Sequence, residues 1–180
     1  MPRYVALFRG INVGKAKRIA MADLRALLEK LGYADIATLL NSGNAVFTAN
    51  AAAPAMHGKR IREAVHKKLG VDALVIVKSS HEVAAIIAGN ALGKVATDDS
   101  KLLVAMTNDT RGLAAARSLA RSPWGTEQMH VGRHAAYVWC ANGILESKAA
   151  VALLKGLNDT GTTRNWGTLK KIHALLVAKP

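Results

Sequence analysis

The period of the apolar residues switches four times within the first 78 positions, and no other feature constrains the fold as much. Tyr4 to Phe8 is a short β-favouring run closed by Arg9-Gly10. From Met21 onward, Leu24, Leu27, Leu28 and Leu31 recur at helix spacing, with Asp23 near the positive N-terminus and Gly32 as the stop. Ile36 to Leu40 and Ala45 to Thr48 read as two strands around Asn41-Ser42-Gly43-Asn44, residues that tolerate positive φ and suit a hairpin. A second helix is marked by Ile61, Ala64, Val65 and Leu69 and ends at Gly70, its other positions crowded with Lys59, Arg60, Arg62, Lys67 and Lys68. The β-branched stretch Asp72 to Lys78 closes the series. Strand, helix, strand, strand, helix, strand is the order of a split βαβ, or ferredoxin-like, unit.

Residues 79–180 read as a smaller mixed unit. Ser79 and Glu82 have the spacing of a capping box before a helix through Val83, Ile86 and Ile87. A strand Lys101 to Thr107, an Ala-rich helix Gly112 to Arg121, and a hairpin of Gln128 to Val131 with Ala135 to Cys140 follow. Two helices, Glu146 to Lys155 and Thr163 to Val177, end the chain, with Thr163 as cap of the second and Trp166, Leu169, Ile172 and Leu176 as its apolar stripe. No repeat or low-complexity linker separates the halves. The expected fold class is α+β, with a ferredoxin-like subdomain (βαββαβ) over 1–78 and a second α/β subdomain over 79–180, packed as one compact unit.

With 51% hydrophobic residues among 180, a buried core is well supplied. No run of 18 apolar residues and no secretory leader occurs, which predicts a cytoplasmic protein with no membrane partner. Cys140 stands alone, so an intrachain disulfide and a cysteine-rich zinc site are excluded, and a small buried hydrophobe is its expected role. His130 and His134 straddle a hairpin turn instead of sharing a helix face, so no metal site is expected. No cofactor is expected either. The net charge of +13 is the strongest compositional signal and points to polyanions. The first 78 residues are the more basic part, with 13 Lys and Arg against 5 Asp and Glu, compared with 12 against 7 in the rest.

The stretch Phe8 to Lys15, FRGINVGK, imitates a phosphate-binding loop but is not one. A P-loop has four residues between its first glycine and the Gly-Lys pair, then Ser or Thr for magnesium. Here Gly10 and Gly14 enclose three residues, and Ala16 follows Lys15. Nucleotide hydrolysis by this route is excluded. What remains is a loop whose Arg9, Asn12, Lys15, Lys17 and Arg18 can hold an anion by charge and free amides. Ser147-Lys148 does not make a nucleophile-base pair, because adjacent helical residues point about 100° apart; a cap and an exposed cation are expected there.

Four short motifs, ALFRGINVG, NSGN before a strand, SK after the Asn142-Gly143 turn, and TTRNW near the end, together resemble the bacterial domain-of-unknown-function 1697 family across nearly the whole chain. The resemblance implies two α/β subdomains, the first ferredoxin-like and the second comparable to small RNA-binding modules, and it implies no activity. It marks Arg9, Gly10, Asn12 and Gly14; Ser42, Gly43 and Asn44; Ser147 and Lys148; and Thr162 to Trp166. Lys15 replaces a glycine common in the family, and Asn41 a glutamine.

Two functions fit these residues. One is a basic nucleic-acid or phosphate-binding module that uses the 9–18 loop and a helix start at 162–166, where Arg164 and Asn165 present a fork and an amide. The other is an enzyme acting on a small anionic metabolite or nucleotide in a cleft between the subdomains, with Arg9, Asn12, Ser42, Asn44 and Arg164 converging. Aromatic residues make up only 4% of the chain, so backbone contact fits a nucleic acid better than base stacking. No paired carboxylates or nucleophilic triad stand out for the enzyme.

Overall fold

A computed structural model describes residues 1–178, which divide into two compact units: Met1–Val83 together with the stretch from Ile172, and Ala84–Lys171.

The first unit is built on β1 (Arg3–Phe8), whose alternating side chains are buried on both faces, Tyr4, Ala6 and Phe8 on one and Val5 and Leu7 on the other. β3 (Asn44–Thr48) and β4 (Val75–Ser79) flank it in antiparallel register, with Val5 opposite both Val46 and Lys78. β2 (Ala34–Leu39) pairs outside β3, which gives the order β2-β3-β1-β4. Its register slips between Ala34 and Ala37, where Asp35 takes a φ of 49°, the mark of a bulge that bends an edge strand.

The face bearing Tyr4, Ala6 and Phe8 is covered by α1 (Met21–Lys30) and α2 (Pro54–Leu69), whose Leu24, Leu28, Ile61 and Val65 are buried in one core with it. Each such side chain stabilises by about 1.5–3 kcal/mol through the area it removes from water. α2 starts on Pro54, already shaped for a first turn, and stops at Gly70 with φ 68°. It runs so close to β4 that a Cβ on Gly58 would sit 2.9 Å from the Val75 carbonyl oxygen.

α3 (Ser80–Ala88) begins with the reciprocal capping expected from Ser79 and Glu82: Glu82 N donates to Ser79 Oγ at 3.2 Å and Ser79 N to Glu82 Oε2 at 2.9 Å. Glu82 also takes the buried Lys78 ammonium at 3.1 Å.

In the second unit β5 (Leu102–Thr107) is buried along its whole length between two antiparallel neighbours, β7 (Ala136–Trp139) and β8 (Gly161–Asn165). β6 (Gln128–Val131) pairs outside β7, and the order is β6-β7-β5-β8. α4 (Ala114–Leu119) and α5 (Lys148–Leu157) pack Ala116, Leu153 and Leu157 against Leu103 and Ala105. α6 (Trp166–Val177) is the last helix. Among the described residues the architecture is therefore α+β, two four-stranded antiparallel sheets with six α-helices.

Several boundaries shift by one to three residues from the sequence reading, and two of the shifts have a local cause. The Ala-rich helix opens as a 3₁₀ turn, Thr110–Leu113, because Asp109 accepts from Arg111 N and Gly112 N and so caps a start two residues earlier than expected. The helix expected from Thr163 starts at Trp166 instead. Gly161–Asn165 is the edge strand β8, Thr163 lies opposite Ala105, and the cap is Asn165, whose Oδ1 accepts from Thr168 N at 2.8 Å. Two adjacent β-branched threonines fit the pleated edge better than a helical turn.

Candidate functional site

The loop joining β1 to α1 is not a slack connection. Four of its residues take left-handed backbone angles, Gly10 (φ 68°), Asn12 (56°), Gly14 (62°) and Lys17 (52°), so the chain folds back on itself. Asn12 closes that path. Its backbone N donates to Lys17 O at 3.0 Å, its side-chain Nδ2 donates to Ile19 O and Asn41 O at 2.8 Å each, and its Oδ1 accepts from Ile19 N at 2.9 Å. Both ends are anchored by buried side chains, Ile11 and Ile19, while residues 13–18 are exposed. Lys15, Lys17 and Arg18 therefore project from a braced frame, and Asn12 serves that frame with its whole amide. Arg9 is half-buried at the loop's entry, where its backbone N donates to Leu74 O at 2.9 Å.

The frame has a second consequence. A depression of about 310 Å³ is lined by Asn12, Arg18, Ile19, Ala20, Met21 and Asn41. Ala20 is the N-cap residue of α1 and supplies no side-chain hydrogen bond. A helix start carries backbone N–H groups without intrahelical partners and a partial positive charge. Arg18 thus stands beside an N-terminus that no side chain caps. The sequence held this signal, since alanine occupies a position where Ser, Thr, Asp or Asn is preferred, but only the fold brings Asn41 and Arg18 to it.

The hairpin tip is organised for its own turn. Asn44 is fully buried, and its Nδ2 donates to Leu39 O at 2.8 Å and to Ser42 Oγ at 3.3 Å. Gly43 has φ 82°, and a Cβ there would lie 2.6 Å from Ile11 Cδ1. The tip and the loop are packed against each other, with Asn41 and Ser42 exposed and Asn44 sealed beneath them.

The third group departs furthest from expectation. Arg164 lies on β8 opposite Val104, only 9% exposed, and donates to Thr162 Oγ1 at 3.1 Å and Thr163 O at 2.7 Å. Burial pulls its guanidinium down to about 10. The fork and amide at a helical first turn are not formed: Arg164 is a strand residue bonded to its own strand, and Asn165 is spent on the cap of α6. Loop 9–18 and the 162–166 segment belong to different units. Lys170, on α6, is ion-paired with Asp99.

Ser147 caps α5, its Oγ accepting from Ala150 N at 2.9 Å, and Lys148 is exposed. Cys140 is buried, and burial pushes its thiol up against the smaller opposing pull of the Ser147 hydroxyl. Among the described residues no group of three or more His, Cys, Asp or Glu is placed to hold a metal ion, and no helix is long and apolar enough to cross a membrane.

One polar cluster went unread in the sequence. His57, on α2, is 7% exposed among aromatic rings, with centroids 4.6 Å from Tyr4 and 5.8 Å from Phe47, and its Nδ1 lies 3.0 Å from the Tyr33 hydroxyl. Its Nε2 is buried with no hydrogen-bond partner. Burial lowers the imidazole's affinity for a proton and outweighs the opposing effect of the Asn50 backbone; the Arg60 charge lowers it further. The signal was available, because His57 precedes Ile61 by four residues and Val65 by eight, the spacing of one buried stripe.

Comparison with known proteins adds three findings. A family model described as "Protein of unknown function (DUF1697)" matches residues 1–137. The structure of conserved bacterial protein SP0830 from Streptococcus pneumoniae superposes with a TM-score of 0.72 at 24% identity, covering 97% of this chain and 98% of that one, a likeness of fold. No curated protein matches the chain.

Proposed function

On the premise that the chain belongs to the DUF1697 family of bacterial proteins of unknown function, we propose that it is a phosphate-binding module. Its ligand is a nucleic-acid backbone or a comparable phosphate-bearing anion, gripped by the loop between β1 and α1. The observation that carries this reading is the depression in which Arg18 meets the N-terminus of α1, where no side chain caps the helix. A phosphate oxygen there gains hydrogen bonds from backbone amides and a guanidinium without displacing any protein carboxylate from the lining. Lys15 and Lys17 extend the positive field along the same braced loop, and the net charge of +13 favours the encounter. Asn12, Ser42 and Asn44 take part as the scaffold that holds loop against hairpin tip. Arg9 enters as a cation at the loop's base, and Arg164 and Asn165 have no part in this grip.

The element order β1-α1-β2-β3-α2-β4, with strand order β2-β3-β1-β4 and both helices on one face, supports a ferredoxin-like reading of residues 1–78. That topology places the β1–α1 loop and the β2–β3 turn side by side, where one ligand reaches both.

The test is a fluorescence-anisotropy titration of a labelled duplex oligonucleotide and a single-stranded one at low ionic strength. Binding by the wild type, weakened at least about tenfold in K15Q/K17Q/R18Q, supports the reading. Absence of binding to both, or equal binding by the variant, overturns it.

A further inference from the structure

The two units repeat one plan. Strand, helix, strand, strand, helix, strand, helix describes β1 to α3 and again β5 to α6. The sheet orders β2-β3-β1-β4 and β6-β7-β5-β8 coincide once the labels are matched, and every pairing is antiparallel. β1 and β5 are each six residues long, so Val5 corresponds to Val104. From there the agreement reaches single residues. Val5 stands opposite a buried cation on the next strand, Lys78, and Val104 opposite another, Arg164. One position on, Ser79 and Asn165 each cap the following helix, accepting from the backbone N of Glu82 and of Thr168. At the other end of the same strands, Arg9 N donates to Leu74 O at 2.9 Å and Asn108 N to Thr160 O at 3.3 Å, again at matching positions.

In both units a pair of helices covers one face of the sheet, α1 and α2 over Tyr4 and Ala6, α4 and α5 over the corresponding Leu103 and Ala105. An antiparallel sheet covered on one side commonly leaves the other to water. Here the second face is dry too, since Val5, Leu7, Val104 and Met106 are fully buried. The first unit includes the last half of α6, from Ile172: Ile172 and Leu176 are buried, and Arg3, on the same face as Val5, donates from Nη1 to Ala178 O. The second unit includes the last half of α3, from Ala84: Ile86 is fully buried, and Tyr137, opposite Val104, donates its hydroxyl to Ile86 O. Each seventh helix starts in its own unit and ends in the other.

We propose that these two helices are exchanged straps. Each unit completes its core with the end of the other's terminal helix, so the two fold and unfold as one cooperative body and neither is an independent domain. Exchange of an equivalent element is a low-cost route to dimers; here residues 89–101, between α3 and β5, join the two copies and fix their ratio at one to one.

The experiment uses the tryptophans. Trp124, Trp139 and Trp166 all lie in the second unit, so their fluorescence reports that unit alone. Ile61→Val thins the core of the first unit on α2, a helix that is not exchanged. It is expected to lower the tryptophan-monitored urea midpoint by about 0.2–0.7 M, as much as the far-ultraviolet circular-dichroism midpoint. A protease site inserted between Thr97 and Asp98, both exposed, then cuts the connection in the folded protein. The cut chain is expected to elute as one body under native conditions and to separate in urea. Within it, Leu176→Ala is expected to weaken the association of the halves at least about tenfold, and the exposed Val177→Ala to leave it unchanged. The proposal is overturned by a tryptophan midpoint that stays at the wild-type value while the dichroism midpoint falls, by cut halves that separate without denaturant, or by an association that Leu176→Ala does not weaken.

Discussion

Asn12 and Asn41 are 29 residues apart in sequence and joined by one hydrogen bond, the Asn12 side-chain Nδ2 donating to the Asn41 carbonyl oxygen at 2.8 Å. With its two bonds to Ile19, this amide ties the β1–α1 loop to the tip of the β2–β3 hairpin. Asn12→Ala removes three side-chain hydrogen bonds, each worth about 1 kcal/mol net. A loss of about 2–3 kcal/mol in urea unfolding is expected, accompanied by weaker oligonucleotide binding although no cation is touched. Retained affinity in a folded Asn12→Ala protein would show that the brace is dispensable.

Gly43 makes the same junction from the other side. Its φ of 82° suits glycine, and an added Cβ would approach Phe8 Cβ to 2.7 Å, an atom fixed to the backbone of β1. Gly43→Ala is expected to cost about 2–4 kcal/mol by strain and overpacking, and chemical denaturation reads it directly.

How far such features were legible in the sequence depended on how local their causes were. α1 followed from Leu24, Leu27 and Leu28, and the capping of α3 from Ser79 and Glu82, because both are written within one or two turns. The strand at Gly161–Asn165 was not, since the stripe of Leu169, Ile172 and Leu176 extends backward through Trp166 and Thr163 imitates an N-cap. What turns this segment into a strand is the exposed edge of β5, more than fifty residues earlier. The β1–α1 loop was legible as charge, Lys15, Lys17 and Arg18, but its brace pairs Asn12 with a residue on another hairpin, and no spacing rule announces that. Ser42 and Asn44 showed in composition only as turn residues, and Asn44 is that.

Arg164 separates structural from ligand-binding roles. Buried on β8 and bonded to Thr162 and Thr163, it is expected on replacement by alanine to cost about 2–4 kcal/mol of stability, while oligonucleotide affinity per folded molecule stays unchanged. Thermal unfolding and anisotropy titration of the same preparation measure both. Selective loss of affinity at full stability would return Arg164 to the ligand site.

His57 gives the fold a pH dependence. Its folded-state proton affinity is lowered below the ordinary 6.5, so between the two values the unfolded chain binds more protons than the folded one. The neutral imidazole's contribution is present above about pH 6.5 and is lost as pH falls through the folded value. Melting temperature is expected to drop between pH 7 and pH 5, and the drop to be smaller in His57→Phe, which keeps the ring contacts and removes the titration. Parallel profiles for the two proteins would exclude His57 as the cause.

The most direct measurement of the central claim is the salt dependence of oligonucleotide affinity in the wild type and in K15Q/K17Q/R18Q. If the β1–α1 loop grips phosphates, log K falls linearly with log salt, and removing three contacts on duplex DNA flattens the slope by roughly 2.7, from about 0.9 for each phosphate neutralised. A slope identical in the two proteins, or no oligonucleotide binding by the wild type at low salt, contradicts the account.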